Sequence, residues 1–207
     1  NRSLPGIKID VCMGRNAGWL TAASALARVH PGDGPHLIYL PERGYTLKGM
    51  LNDIDKVFSA NKRALIAVSE GVADSDGHTF LESEKIRAEL KELGMGKLLD
   101  LFDLTGEVEE LSGGAKRDAF GHVQLSGTGA LADFLATVTK IYLFNKYGKK
   151  YRVRADTLGY AQRSMPGVVS EIDAIEAREA GAAGVLTAVT GDLSGSICFK
   201  RHQTHFG

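Results

Sequence analysis

Apolar positions recur along the chain with two periods, and their alternation predicts the architecture. Ile7 to Val11 is a short strand-like run that enters a glycine-bearing turn, Val11-Cys12-Met13-Gly14-Arg15-Asn16-Ala17-Gly18. A helical run follows from Ala17 to His30, with Leu20, Ala23, Ser24 and Ala27 on one face, until Pro31-Gly32-Asp33-Gly34-Pro35 stops it. His36 to Leu40 is again strand-like and ends at Pro41. Thr46 is placed to cap a second helix to about Ala60, whose apolar face carries Leu47, Met50, Leu51, Ile54 and Val57. Arg63 to Ser69 is a near-continuous apolar strand ended by Glu70-Gly71. Short apolar strands alternating with amphipathic helices predict a mainly parallel sheet in a three-layer α/β/α arrangement, covered on both faces.

The middle of the chain is less periodic. Asp74-Ser75-Asp76-Gly77 predicts a turn at a hairpin tip, and Ser83 to Leu93 a helix. Gly94 to Gly114 is mixed, with Glu107, Glu109 and Glu110 expected on a solvated surface. Phe120-Gly121-His122-Val123-Gln124-Leu125 has strand or loop character, and Thr128 to Tyr147 is a strongly apolar helix. From Lys149 to Ala155 the pattern switches to period two, with Lys150, Arg152 and Arg154 on one face and Tyr151, Val153 and Ala155 on the other. Ser170, with Asp173 three residues on, predicts a capped helix to about Val189, broken near Gly181 or Gly184. Gly195 to Arg201 predicts a last strand; His202 to Gly207 is uninformative.

Composition narrows the class. At 207 residues, 43% of them hydrophobic and 24% charged, the chain has the make-up of a soluble globular protein able to bury a sizeable core. Twenty-five basic residues balance 25 acidic ones, so bulk charge points to no nucleic-acid or anionic-membrane partner. Cys12 and Cys198 lie far apart in apolar runs and are expected as two buried free thiols, which fits a reducing compartment. No apolar run reaches membrane-spanning length, and there is no signal-peptide pattern. The chain begins without methionine at a strand approach, as expected of a fragment or a processed chain.

Four places offer chemistry. Arg15 stands where a helix is expected to begin. Unpaired N–H groups at a helix start carry partial positive charge, and an added guanidinium makes a seat for phosphate; an ordinary βα loop with a solvated arginine has the same sequence. Glu70 ends an apolar strand, where ligands of open α/β sheets bind, and its carboxylate suits sugar hydroxyls; a surface glutamate is the competing reading. Lys150, Arg152 and Arg154 on one strand face need an anion, carboxylates or open water, and an edge strand defended by charge accounts for them equally. Tyr160 and Arg163, three apart after Gly159, suit a phosphate monoester if they share a helical turn; otherwise Tyr160 belongs to the core and Arg163 to solvent. His122 is a structural hydrogen-bonding residue on this pattern, Cys12 lacks a nearby activating base, and no Cys/His spacing matches a zinc site.

Taken jointly, these segments resemble the second half of the phosphofructokinase family. The resemblance rests on Met13-Gly14-Arg15-Asn16-Ala17-Gly18-Trp19, Leu37-Ile38-Tyr39-Leu40-Pro41-Glu42, Val68-Ser69-Glu70-Gly71 and Arg154-Ala155-Asp156-Thr157-Leu158-Gly159-Tyr160-Ala161-Gln162-Arg163. It spans nearly the whole chain and is weakest between Asp74 and Ala119. It implies that Met13, Gly14 and Arg15 contact fructose 6-phosphate, with Arg15 near the transferred phosphoryl group. Glu70 would hold sugar hydroxyls. Tyr160, Ala161, Gln162 and Arg163 would line the 6-phosphate site, and Arg154 resembles the family arginine that reaches a neighbouring subunit's sugar phosphate. Tyrosine at 160, where ATP-dependent bacterial members carry histidine, is more like the pyrophosphate-dependent branch, as is the Phe120 to Leu125 segment.

The resemblance also implies what lies elsewhere. The family's Gly-Gly-Asp phosphate loop and Thr-Ile-Asp catalytic segment do not occur in this sequence. The general base, the carboxylates that hold Mg²⁺ with the phosphoryl donor, and the donor cradle would belong to a preceding half. Residues 1–207 would then be the fructose-6-phosphate-binding half of a cytoplasmic, oligomeric enzyme of glycolysis. It would move a phosphoryl group from pyrophosphate to the 1-hydroxyl of fructose 6-phosphate, and this half alone would be inactive. An ATP-dependent enzyme, a non-catalytic sugar-phosphate-binding module and a structural α/β domain with no ligand are the alternatives.

Overall fold

Four segments become strands of one wholly parallel sheet: β1 (Gly6–Cys12), β2 (Leu37–Tyr39), β3 (Arg63–Ser69) and β4 (Val153–Thr157), in the spatial order β2-β3-β1-β4. This is a computed structural model that describes residues 5–101, 129–160, 165, 167–191 and 194–200. The chain divides into two compact units, Asn1–Tyr160 and Ala161–Gly207. The first holds the sheet and helices α1 (Trp19–Ala23), α2 (Leu47–Asn61), α3 (Glu84–Glu92), α4 (Leu98–Leu101) and α5 (Ala130–Tyr147); the second holds α6 (Glu171–Thr190).

The strand order dictates which face each helix covers. β1 leads leftward to β2, while β2 leads rightward to β3 and β3 rightward to β4. Right-handed crossovers therefore put α2 and α5 on one face and α1 on the other. The side chains agree: Asp55 of α2 accepts from Lys146 Nζ (2.6 Å) and Tyr147 Oη (2.7 Å) of α5, and Tyr142 Oη donates to Asn52 at 2.9 Å. Period two in the strands sends Ile7, Ile9 and Val11, opposite Ala64, Ile66 and Val68, into the core beneath α2 and α5. Each large aliphatic side chain buried there contributes about 1.5–3 kcal/mol. The other face is thinner. Lys8 bonds Asp156 of β4 and stands 3.2 Å from Asp10, a charge row that α1 leaves partly open.

The caps follow the sequence. Thr46 accepts the Gly49 N–H at 3.0 Å and starts α2, which ends on left-handed Lys62. Ser83 accepts the Ile86 N–H at 3.2 Å, and Ser170 accepts that of Asp173 at 3.3 Å. The Asp74 turn is the expected hairpin tip, with Ala73 bridging Thr79 in antiparallel fashion.

Several expectations are corrected. The helix expected from Ala17 to His30 is only α1 followed by a 3₁₀ turn, Ser24–Ala27. Asp33 explains its early end, because its carboxylate takes the N–H groups of Val29 (3.3 Å) and His30 (2.8 Å) out of helical register. Arg28 Nε also donates to the Pro35 carbonyl at 2.6 Å. α6 runs unbroken through Gly181 and Gly184, since glycine costs a helix only about 1 kcal/mol. Residues 195–200 form no strand, and Cys198 is exposed, so only Cys12 is a buried thiol. β4 begins at Val153, which leaves Lys150 and Arg152 in the exposed approach to it. The expectations for Glu107 to Glu110 and Phe120 to Leu125 lie outside the described residues.

Candidate functional site

Adjacent strands β1 and β3 send their connections in opposite directions, and such a switch opens a crevice at the carboxyl ends of the strands. Met13, Gly14, Arg15 and Glu70 all lie at that edge. The Glu70 N–H continues the ladder to the Cys12 carbonyl at 2.9 Å. The Ser69 hydroxyl donates to the Gly14 carbonyl, so the end of β3 grips the turn that follows β1. Gly14 holds φ at +133°, which glycine adopts without strain. Gly71 is closer still: a Cβ there would lie 1.8 Å from the Arg15 carbonyl oxygen. The Arg15 backbone thus rests directly on the β3 exit, beside Glu70, and both side chains are half-buried.

β4 brings a third loop to the same edge. Leu158 N–H donates to the Val11 carbonyl at 3.0 Å, Gly159 turns with φ +56°, and exposed Tyr160 follows. Ala161, Gln162 and Arg163 lie outside the described residues. Arg154 is not brought to this edge. It pairs in register with Lys8, three residues before the end of β4, or about 10 Å back along the strand. With Arg152, Lys8 and Arg63 it lines a cavity of about 90 Å³ near the amino ends of the strands.

Two features differ from the picture drawn from sequence. The helix start expected to help seat an anion belongs to a five-residue helix. Its Gly18 N–H is already bound, at 2.6 Å, by the carboxylate of Glu42 from the loop after β2. Ser69, Gly71 and Glu42 were legible only as parts of matched segments, without roles of their own. Burial pushes the Cys12 thiol up and the Asp10 charge adds to that, so the reactive thiolate is disfavoured.

Among the described residues, one group could offer a metal three ligands: Asp74, Asp76 and His78. They do not fit Mg²⁺. Asp74 Oδ1 accepts the N–H groups of Asp76 (2.8 Å) and His78 (3.0 Å), its Oδ2 accepts from Ser83, and Asp76 is paired with Lys85 at 2.7 Å. Those carboxylates hold the loop together, and Mg²⁺ demands a near-ideal octahedron of free oxygens.

A strand–turn–helix unit interlocked with a carboxylate-bearing strand end, at the switch point of a parallel sheet, defines an α/β domain whose crevice opens at the carboxyl edge. The sequence profile described as Phosphofructokinase matches residues 7–188, and the chain belongs to that family. It is 46% identical over 206 residues to the pyrophosphate–fructose 6-phosphate 1-phosphotransferase of Rhodospirillum rubrum, covering all of this chain and 43% of that protein. It is 31% identical over 179 residues to the enzyme of the same name from Xanthomonas campestris, covering 86% of this chain and 34% of that one. A crystal structure of pyrophosphate-dependent phosphofructokinase from Marinobacter aquaeolei aligns with TM-score 0.49 at 20% identity, over 90% of this chain and 33% of the other. The chain thus spans between a third and just under half of the length of these relatives. Among the described residues no helix is long and apolar enough to cross a membrane.

Proposed function

We propose that residues 1–207 form the fructose 6-phosphate-binding half of a cytoplasmic, oligomeric pyrophosphate-dependent phosphofructokinase. One observation carries the reading: Ser69 and Gly71 lock the turn of Gly14 and Arg15 against the exit of β3, so Arg15 and Glu70 stand at one edge of the sheet. A carboxylate accepts hydrogen bonds from sugar hydroxyls, and a guanidinium neutralises a phosphoryl group in flight. Phosphoryl transfer depends mainly on such positioning and charge neutralisation.

In this reading Met13, Gly14, Arg15 and Glu70 hold the sugar, and Arg15 also stabilises transition-state charge at its 1-oxygen, a role worth several kcal/mol when fully engaged. Tyr160, Ala161, Gln162 and Arg163 hold the 6-phosphate. Arg154, set back from its own edge, serves the sugar phosphate of a neighbouring copy. Pyrophosphate as donor is supported by the relatives' names and by tyrosine at 160. Mg²⁺ would enter with pyrophosphate on residues outside this chain, as would the general base, and the chain alone would not turn over.

Calorimetric titration with fructose 6-phosphate tests the reading. The chain should bind the sugar phosphate saturably, and Arg15→Ala should weaken binding at least tenfold, about 1.4 kcal/mol. Absence of binding, or equal binding by Arg15→Ala, refutes it. Measurable phosphoryl transfer by the isolated chain would refute the division of labour.

A further inference from the structure

We propose that Glu42 is a positioning residue for Arg15, acting through Gly18; the proposal rests on the sugar-phosphate reading of the Arg15 edge. Glu42 Oε1 accepts the Gly18 N–H at 2.6 Å from a position 24 residues away. Its Oε2 fills the space a side chain would need at 18, since a Cβ there would lie 2.8 Å from that oxygen, 2.8 Å from Pro41 Cδ and 2.9 Å from Leu40 Cδ2. Gly18 is the N-cap of α1, and the carboxylate from another loop takes up its N–H, one of the donors a helix start leaves without an intrahelical partner.

The geometry closes a ring of loops around the site. The loop after β2 is stiffened by the Leu40 N–H on Tyr45 Oη (3.2 Å) and the Arg43 N–H on the Leu40 carbonyl (3.4 Å). It is joined to the loop after β3 by the Tyr45 N–H on the Ala73 carbonyl at 2.9 Å. The loop after β3 holds the turn after β1 at its front, through Ser69 and Gly71. Glu42 holds the same turn at its rear. Arg15 lies between the two ties. Removing the rear tie leaves this turn held by the front tie and through α1, and so loosens the backbone that carries Arg15. A five-residue helix adds little stability of its own, so the tie's consequence falls on the turn that α1 ends, not on the core.

The test uses the 207-residue chain with Glu42→Ala, Glu42→Gln, Arg15→Ala and the Glu42→Ala/Arg15→Ala pair. Glu42→Ala should weaken fructose 6-phosphate binding about tenfold, the size of one charge-assisted hydrogen bond. Glu42→Gln keeps an acceptor oxygen and should recover most of the loss. The double variant should bind no worse than Arg15→Ala, because Glu42 acts through Arg15. Amide NMR resonances of Arg15 and Asn16, besides Gly18, should move in Glu42→Ala and return in Glu42→Gln. Additive losses in the double variant, or resonance changes confined to Gly18, overturn the proposal. The resonances need no sugar: if the parent chain fails to bind fructose 6-phosphate while they move as stated, the functional reading falls and the role of Glu42 in holding the turn stands.

Discussion

Replacing Gly71 by alanine isolates the contact on which the site's geometry turns. The added Cβ would meet the Arg15 carbonyl oxygen at 1.8 Å, its carbonyl carbon at 2.5 Å and its Cα at 2.7 Å. Carbon and oxygen touch at roughly 3.3 Å, so the Arg15 backbone must retreat by about 1.5 Å. No flexible side chain can yield in its place, because all three atoms are main chain. Overpacking of this kind costs about 1–3 kcal/mol, which lowers the melting temperature by roughly 4–8 °C at 2 kcal/mol for a chain of this size. A displacement of about 1 Å at a positioning group also costs up to about a hundredfold in the process it serves. Calorimetry with fructose 6-phosphate and thermal unfolding should therefore show both losses. Gly96→Ala is the control, since its Cβ meets only Lys91 Cγ at an ordinary 3.7 Å. Wild-type affinity in Gly71→Ala, with unmoved Arg15 resonances, would show that the β3 exit does not set the position of Arg15.

Three further outcomes follow from the same structure. Burial pushes the Asp74 carboxyl up, but the Ser83 hydroxyl and the N–H groups of Asp76 and His78 outweigh it and hold it below its ordinary value of 3.8. Asp55 is likewise pushed up by burial and brought below 3.8 by Lys146, Tyr147 and Ser59. Folded values below unfolded ones mean stability that is complete above about pH 5 and is lost as the pH falls past 3.8 through the folded values; urea midpoints measured against pH should show this, and Asp74→Asn should flatten the acid limb. Ser83→Ala removes both the cap of α3 and the donor to buried Asp74 and should cost about 2–4 kcal/mol in urea unfolding, whereas Thr46→Ala removes only a cap and should cost about 1 kcal/mol. If the two cost the same, the Ser83–Asp74 bond contributes nothing. Alkylation of the native chain should label exposed Cys198 and spare Cys12, whose modification should appear only on unfolding.

Much of this molecule is written locally. Arg63 to Ser69 is a strand because an apolar run of β-region residues is bounded by left-handed Lys62 and by Glu70-Gly71, and the structure ends it at the same residues. Thr46, Ser83 and Ser170 start their helices by accepting an N–H three residues on, which needs no distant partner. The family segments were visible as short strings for the same reason. The extent of α1 was not legible, because it depends on where Asp33 folds back. Nor was the geometry of the site: Ser69 reaches Gly14 across 55 residues and Glu42 reaches Gly18 across 24. Those contacts exist because the sheet is ordered β2-β3-β1-β4, which sets the exits of β2 and β3 against the turn after β1. Period and propensity name the strands, since they act over a few residues. Which strand lies beside which is decided by the burial of the whole sheet between its helices, and that is what placed Arg15 beside Glu70 and Arg154 away from both.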